Sequence, residues 1–257
     1  MVNRWEMSLS GTFHHLGPFS IPGLQGTRRV RVYTPRGHDP SRPQPALYMF
    51  DGQNVFDDAP SFAGGWNTHR AVDRLSPRSN YPPVVVGIEH GGHERIDELG
   101  PWSMRGRGGR TDRLLDWMGS ELIPTLPQRF GIIPGPVGTV IAGSSLGGLA
   151  ALYAHFRRPD LFGGVIAISP SFWFAQRAIF PFVAQEPNPW TSRIYLDCGA
   201  KEGGGRMLAA VEDMAKHLAG RGYGADKLMW RPDARGAHSE RHWRRRLPKA
   251  LRFMFRR

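Results

Sequence analysis

The stretch Thr139-Val-Ile-Ala-Gly-Ser-Ser-Leu-Gly-Gly148 leaves the chain few ways to fold. Its first four residues are β-branched or apolar and run directly into Gly143-Ser-Ser-Leu-Gly147, a G-x-S-x-G pattern. A helical stretch rich in small residues, Leu149 to Arg158, follows at once. This order predicts a strand that turns sharply into a helix, with Ser145 at the apex. Glycines two before and two after the serine keep side chains out of the crowded turn. The helix N-terminus places the serine where the dipole favours developing negative charge.

Further strands and helices alternate around that stretch. Thr27 to Thr34 alternates Arg with Val and Tyr, as an edge-type antiparallel strand does. Ala46 to Phe50, Val84 to Ile88, Gly164 to Ser169, Arg193 to Asp197 and Asp226 to Arg231 read as the other strands. Helices are predicted over Trp66 to Leu75, Thr111 to Arg129 with a kink or terminus at Pro124, Gly203 to Arg221, and Ser239 to Arg256. Glu89 to Arg110 reads as a long polar, glycine-rich loop, and Pro170 to Glu186 as an aromatic, partly helical excursion. Apolar strands alternating with helices imply an α/β protein with a mainly parallel sheet covered on both faces. At 257 residues the chain suits one domain spanning its whole length.

Composition narrows the function classes. The net charge of +12 is nearly all arginine and is spread along the chain, apart from a concentration in the stretch 242–257. There Trp243, Leu247, Leu251, Met254 and Phe255 fall at helical spacing, so the stretch reads as a helix packed on the sheet with its arginines in water. Neither nucleic acid nor membrane is expected as a partner; an anionic small molecule suits the charge better. Cys198 is the only cysteine, which excludes an internal disulfide. Met1 to Ser10 holds Arg4 and Glu6 and no uninterrupted apolar run, so no signal peptide is expected, and no stretch approaches transmembrane length. A cytoplasmic location is the expectation.

In a parallel sheet, sites gather at the carboxyl ends of strands. Around a serine nucleophile at such a turn, one oxyanion donor is the backbone N–H of the next residue, here Leu146. The second is assigned to the backbone N–H of Gln53, in the turn Asp51-Gly-Gln-Asn54 that leaves the strand Ala46 to Phe50, with Gly52 allowing close approach. His90-Gly-Gly-His93 offers a rival turn but follows the wrong strand. With Glu94 its histidines form no metal set, because no helix holds them on one face and no further Cys/His pair completes them. A general base must follow Ser145 in the chain. His155 and His217 fall inside predicted helices, whereas His238 sits in a loop between the last strand and the last helix, with His242 as the fallback. Glu202, in the loop after Arg193 to Asp197, is the first choice for the acid that orients the imidazole; Asp197 and Asp233 are the alternatives.

With these residues in hand, the chain resembles the esterase family of α/β-hydrolases that includes enterochelin (ferric-siderophore) esterases, feruloyl and acetyl esterases and the mycolyltransferase antigens. The resemblance runs from Pro45 to the C-terminus and rests on several motifs in order. They are 48–57 (YMFDGQNVFD), Val86-Gly-Ile88, Glu121-Leu-Ile-Pro124, 141–149 (IAGSSLGGL), Ile168-Ser-Pro-Ser-Phe-Trp173, and His238 with Trp243 and Leu247-Pro248. It implies an α/β-hydrolase fold, Ser145 as nucleophile, His238 as base and, less directly, Glu202 as acid. It further implies that Arg95 and Trp173 line the substrate pocket, Arg95 toward an anionic or catechol-bearing group. The expectation is a serine carboxylic-ester hydrolase of a small, siderophore-like ester, needing neither cofactor nor metal. An acyltransferase using the same residues, or a non-catalytic binding protein on the same fold, are the alternatives.

Overall fold

A computed structural model of the chain describes residues 10–59, 61, 64–75, 80–189 and 192–256. Residues 1–9, which carry most of the reading against a leader, lie outside the described residues, as do Trp190 and Arg257. The strands in chain order are β1 (Thr12–Ser20), β2 (Thr27–Thr34), β3 (Ala46–Met49), β4 (Val84–Ile88), β5 (Ser103–Met104), β6 (Arg107–Gly108), β7 (Thr139–Ser144), β8 (Gly164–Ile168), β9 (Arg193–Gly199) and β10 (Leu228–Asp233). Eight of them form one sheet in the order β1-β2-β4-β3-β7-β8-β9-β10, and β5 and β6 form a small separate hairpin. From β4 across to β10 every pairing is parallel; β2 runs antiparallel to both β1 and β4. This is the α/β-hydrolase arrangement, a mostly parallel sheet flanked by helices.

The central strands are buried along their whole length because helices cover both faces. Alternate residues divide between two cores. Tyr48, Val86, Ile141, Val165 and Ala167 pack with the helices Thr111–Trp117, Leu146–Arg157 and Arg206–Gly220. Leu47, Val85, Val140, Ala142 and Ile166 pack on the opposite face against Val72 and against Trp243, Leu247, Leu251 and Phe253 of the helix Glu240–Met254. The arginine-rich C-terminal stretch thus covers the sheet with its apolar stripe, as its spacing predicts.

Two readings change. Thr27–Thr34 is not an edge, because β1 pairs outside it. The alternation of β1 is mostly exposed and its register shifts between Leu16 and Phe19, so it carries little hydrophobic signal. The polar loop after β4 contains a short helix, Arg95–Leu99, and the β5–β6 hairpin; Asp97 ties the two by accepting from Arg107 Nε at 2.8 Å and from the Gly108 N–H at 2.7 Å. Around Pro124 the regular α-helix is interrupted, as expected, and the proline stands in the first turn of a new α-helical segment. A wider π-turn over Met118–Leu122 precedes it, and helix resumes over Ile123–Phe130. That turn absorbs the ring and the missing N–H of the proline. Among the described residues no helix is long and apolar enough to cross a membrane.

Candidate active site

Ser145 stands between the end of β7 and the helix Leu146–Arg157 with φ 54° and ψ −123°, a conformation that costs a non-glycine residue free energy. Its neighbours hold it there. Its N–H donates to Ile168 O at 3.0 Å, and its carbonyl accepts from Gly148, Leu149 and Ser171. Packing demands the first flanking glycine, since a Cβ on Gly143 would lie 2.3 Å from Gly147 O; a Cβ on Gly147 would fit tightly, 3.0 Å from Asp51 Oδ2.

The serine hydroxyl meets an imidazole. Ser145 Oγ lies 3.0 Å from His238 Nε2, and His238 Nδ1 lies 2.7 Å from Glu202 Oε2. Three elements deliver these groups: the β7 turn, the loop after β9, and the loop between β10 and the last helix. The His238 ring also packs edge-on against Trp243 at 4.9 Å between centroids.

Glu202 is 1% exposed, and its other oxygen, Oε1, is surrounded by donors. Ser169 Oγ donates to it at 2.7 Å, the Gly199 N–H at 2.9 Å and Arg246 Nη2 at 3.2 Å. Burial by itself would raise this carboxyl's pKa; His238, Ser169 and the Arg246 charge outweigh it and hold the group below the usual carboxylate range. The alternatives for this position are occupied elsewhere. Asp197 is fully buried, accepts from Tyr195 Oη at 3.1 Å, and lies 3.4 Å from Arg246 Nη1. Asp233 pairs with Arg245 at 2.7 Å. His242 also turns to Arg245, and His155 is buried with Nδ1 3.0 Å from Phe162 O.

From the end of β3, the strand paired with β7, comes the turn Gly52–Asn54. A Cβ on Gly52 would sit 2.6 Å from the carbonyl carbon of Ile88, so the residue must be glycine for this turn to lie against the end of β4. The Gln53 side chain clamps the next loop at two points: Nε2 donates to His90 O at 2.8 Å, and Oε1 accepts the His90 N–H at 3.2 Å. The turn is closed by the Asn54 N–H on Asp51 O and the Val55 N–H on Gly52 O, which leaves the Gln53 N–H out of its own bonding. Leu146 opens its helix, so its N–H is one of the amides a helix leaves without an internal acceptor.

Arg95 donates to both carboxylate oxygens of Asp51, at 2.6 and 2.7 Å, and keeps 28% of its side chain exposed. Trp173 is 51% exposed and walls an open pocket of about 460 Å³ together with Gly203, Arg206 and Met207, beside Glu202. His90 turns toward Asp51 and His93 toward Glu94, and among the described residues no three His, Cys, Asp or Glu side chains gather as a metal set.

Sequence reasoning missed the layer behind these groups. Ser169 accepts from Trp243 Nε1 at 3.2 Å and from Arg246 Nη2 at 2.7 Å while donating to Glu202. Ser171 Oγ lies 3.3 Å from Ser145 Oγ. The serines stand in the Ser-Pro-Ser motif, and Trp243 and Arg246 are three apart on one helix; that spacing is the signal that both reach the same point.

The sequence profile of the family described as "Putative esterase" matches residues 21–254. Among curated relatives, the "Uncharacterized protein YbbA" of Bacillus subtilis is 25% identical over 90% of this chain and 93% of its own length. The iron(III) salmochelin esterase of Escherichia coli O6:H1 is 33% identical over 65% of this chain, and the iron(III) enterobactin esterase of Dickeya dadantii 31% over 59%. The chain aligns with only 38% and 32% of those two proteins. Of solved structures, the BES protein from Bacillus cereus superposes with a TM-score of 0.74 over 98% of this chain and 97% of its own, at 20% identity. The enterochelin esterase from Shigella flexneri superposes with a TM-score of 0.71 over 95% of this chain and 58% of its own, at 23% identity. The structural likenesses speak for the fold. The profile match covers nearly the whole chain and includes every residue of the site, and the chain belongs to this esterase family.

Proposed function

We propose that the protein is a serine carboxylic-ester hydrolase with Ser145 as nucleophile, His238 as general base and acid, and Glu202 as the carboxylate that orients the imidazole. The observation that carries this is the unbroken line from Ser145 Oγ to His238 Nε2 at 3.0 Å and from His238 Nδ1 to Glu202 Oε2 at 2.7 Å. Glu202, held ionised, accepts the Nδ1 proton and so leaves Nε2 free to take the serine proton. The Ser145 oxygen then bonds to the ester carbonyl carbon. The carbonyl oxygen gains the electron pair and is held by the N–H groups of Leu146 and Gln53. Collapse breaks the bond to the alcohol oxygen, which leaves with the proton from His238. Water, deprotonated by the same histidine, attacks the acyl-serine, and the acid departs as Ser145 recovers its proton.

The substrate proposed is a small ester bearing an anionic or catechol group. The support is the basic surface, the open pocket walled by Trp173 and Arg206 beside Glu202, and relatives named as enterobactin and salmochelin esterases. Trp173 supplies an aromatic wall; Arg95 holds Asp51 with its side chain only partly buried, where an anionic substituent can approach its charge. The test is a fluorophosphonate probe together with a p-nitrophenyl butyrate assay. One label per chain on Ser145, and no hydrolysis by a folded Ser145→Ala variant, is the expected result; undiminished hydrolysis by that variant overturns the reading.

A further inference from the structure

A second recess, of about 650 Å³, lies between β10, the loop that follows it and the helix Glu240–Met254, and neither Ser145 nor Gln53 is in its wall. Arg231, Arg235, Arg245, Arg246 and Lys249 line it, and Asp233 is the one carboxylate among its lining residues. Asp233 is spent on Arg245 at 2.7 Å. Arg231, Arg235 and Lys249 are exposed, so like charges crowd one concave surface.

The floor of the recess differs from an ordinary basic surface. Arg246 is 6% exposed, and its Nη2 is taken by Ser169 and Glu202. Its Nε and Nη1 make no hydrogen bond to any described residue, although Nη1 lies 3.4 Å from Asp197 Oδ1. Both nitrogens are shielded from solvent and Nη1 faces Asp197, so Arg246 closes the floor of the recess while the exposed cations above it are left to meet a ligand. Arginines set around one point suit phosphate, whose oxygens accept paired N–H donors.

We propose that this recess binds a compact phosphorylated anion, at a site separate from the ester-binding face and joined to it through Arg246. Exposed Arg231, Arg235 and Lys249 donate to the ligand's oxygens and neutralise its charge, and Arg246 backs the floor and links it to Glu202.

Titration calorimetry of the full chain with inorganic pyrophosphate, at low ionic strength balanced with sodium chloride, tests it. Saturable one-to-one binding is expected, about tenfold or more weaker in an Arg231→Gln/Lys249→Gln double variant. Arg235→Gln should weaken it in the same direction, and Ser145→Ala should leave it unchanged. Exposure of these positions on the surface keeps the variants foldable, and circular dichroism checks this. Equal affinity in the double variant, absence of saturable binding, or loss of binding in Ser145→Ala overturns the proposal. Vesicles of phosphatidylglycerol distinguish a lipid headgroup from a free phosphate: capture by vesicles without pyrophosphate binding also overturns it. An inactive esterase that binds pyrophosphate leaves this site standing, whereas an active one that does not bind it removes the site alone.

Discussion

Arg95 grips Asp51 with two nitrogens, Nε at 2.6 Å from Oδ1 and Nη2 at 2.7 Å from Oδ2. Asp51 stands in the left-handed region, φ 59° and ψ 48°, at the head of the turn that carries the Gln53 N–H. The pair therefore sets where that N–H points. Arg95→Ala is expected to lower kcat about 10- to 100-fold even for an uncharged ester, because the turn loses its anchor and Asp51 its partner. A rise in KM confined to anionic esters, with kcat kept, would assign Arg95 to substrate contact alone.

Glu202 is expected to matter through the imidazole it orients. Glu202→Gln should reduce kcat by about 10²- to 10⁴-fold with little change in KM, since an amide cannot stabilise the imidazolium and can favour the wrong tautomer. Ser169→Ala removes one donor from the same carboxylate and should cost about tenfold or less. Steady-state kinetics on one ester gives both numbers, and a Ser169 effect larger than the Glu202 effect contradicts the assignment.

Glycine at position 143 is a packing requirement. Gly143→Ala places its methyl carbon 2.3 Å from Gly147 O, a backbone atom that cannot yield cheaply. A loss of about 3 kcal/mol or more of stability, or no folded protein, is expected. Gly220→Ala, at the end of a helix with nothing within 4 Å, is the control and should stay within about 1 kcal/mol of the parent. Chemical denaturation measures both.

Asp197 gives a pH signature. Burial, only partly offset by Arg246 and Tyr195, pushes its carboxyl from 3.8 up to about 7, so folding favours the protonated form. Its contribution to stability is present below about pH 4 and lost as the pH rises through about 7. Glu202, shifted the other way, contributes above the ordinary carboxylate range and loses that on acidification. In the difference between the parent and Asp197→Asn the Glu202 contribution largely cancels. The parent's stability relative to that variant should then fall between pH 4 and 8 in urea unfolding, and a flat difference would show that Asp197 ionises normally.

Trp173 is expected to act on binding. Trp173→Ala should raise KM about fivefold for an aryl ester and barely for an acetate, with kcat kept. Equal effects on both esters would place Trp173 outside the substrate's reach.

Much of this protein could be read before it was seen. Thr139 to Gly148 dictated the strand, the bend and the helix, because few other conformations accommodate four β-branched or apolar residues followed by two glycines around a serine. Chain order and the loop position of His238 selected it over the other histidines. Local pattern also predicted the apolar stripe of the last helix, since its 3.6-residue period is visible in one dimension. What tertiary structure alone decided was choice among equivalents and everything assembled from distant segments. Glu202 rather than Asp197 or Asp233 faces His238, because β9 carries Asp197 into the sheet while the loop beyond it turns Glu202 toward the imidazole. Arg95 meets Asp51 across 44 positions, and Arg246 meets Glu202 across the same separation of 44. Such pairings have no period and no motif. They exist only once the parallel sheet has brought the ends of its strands to one edge.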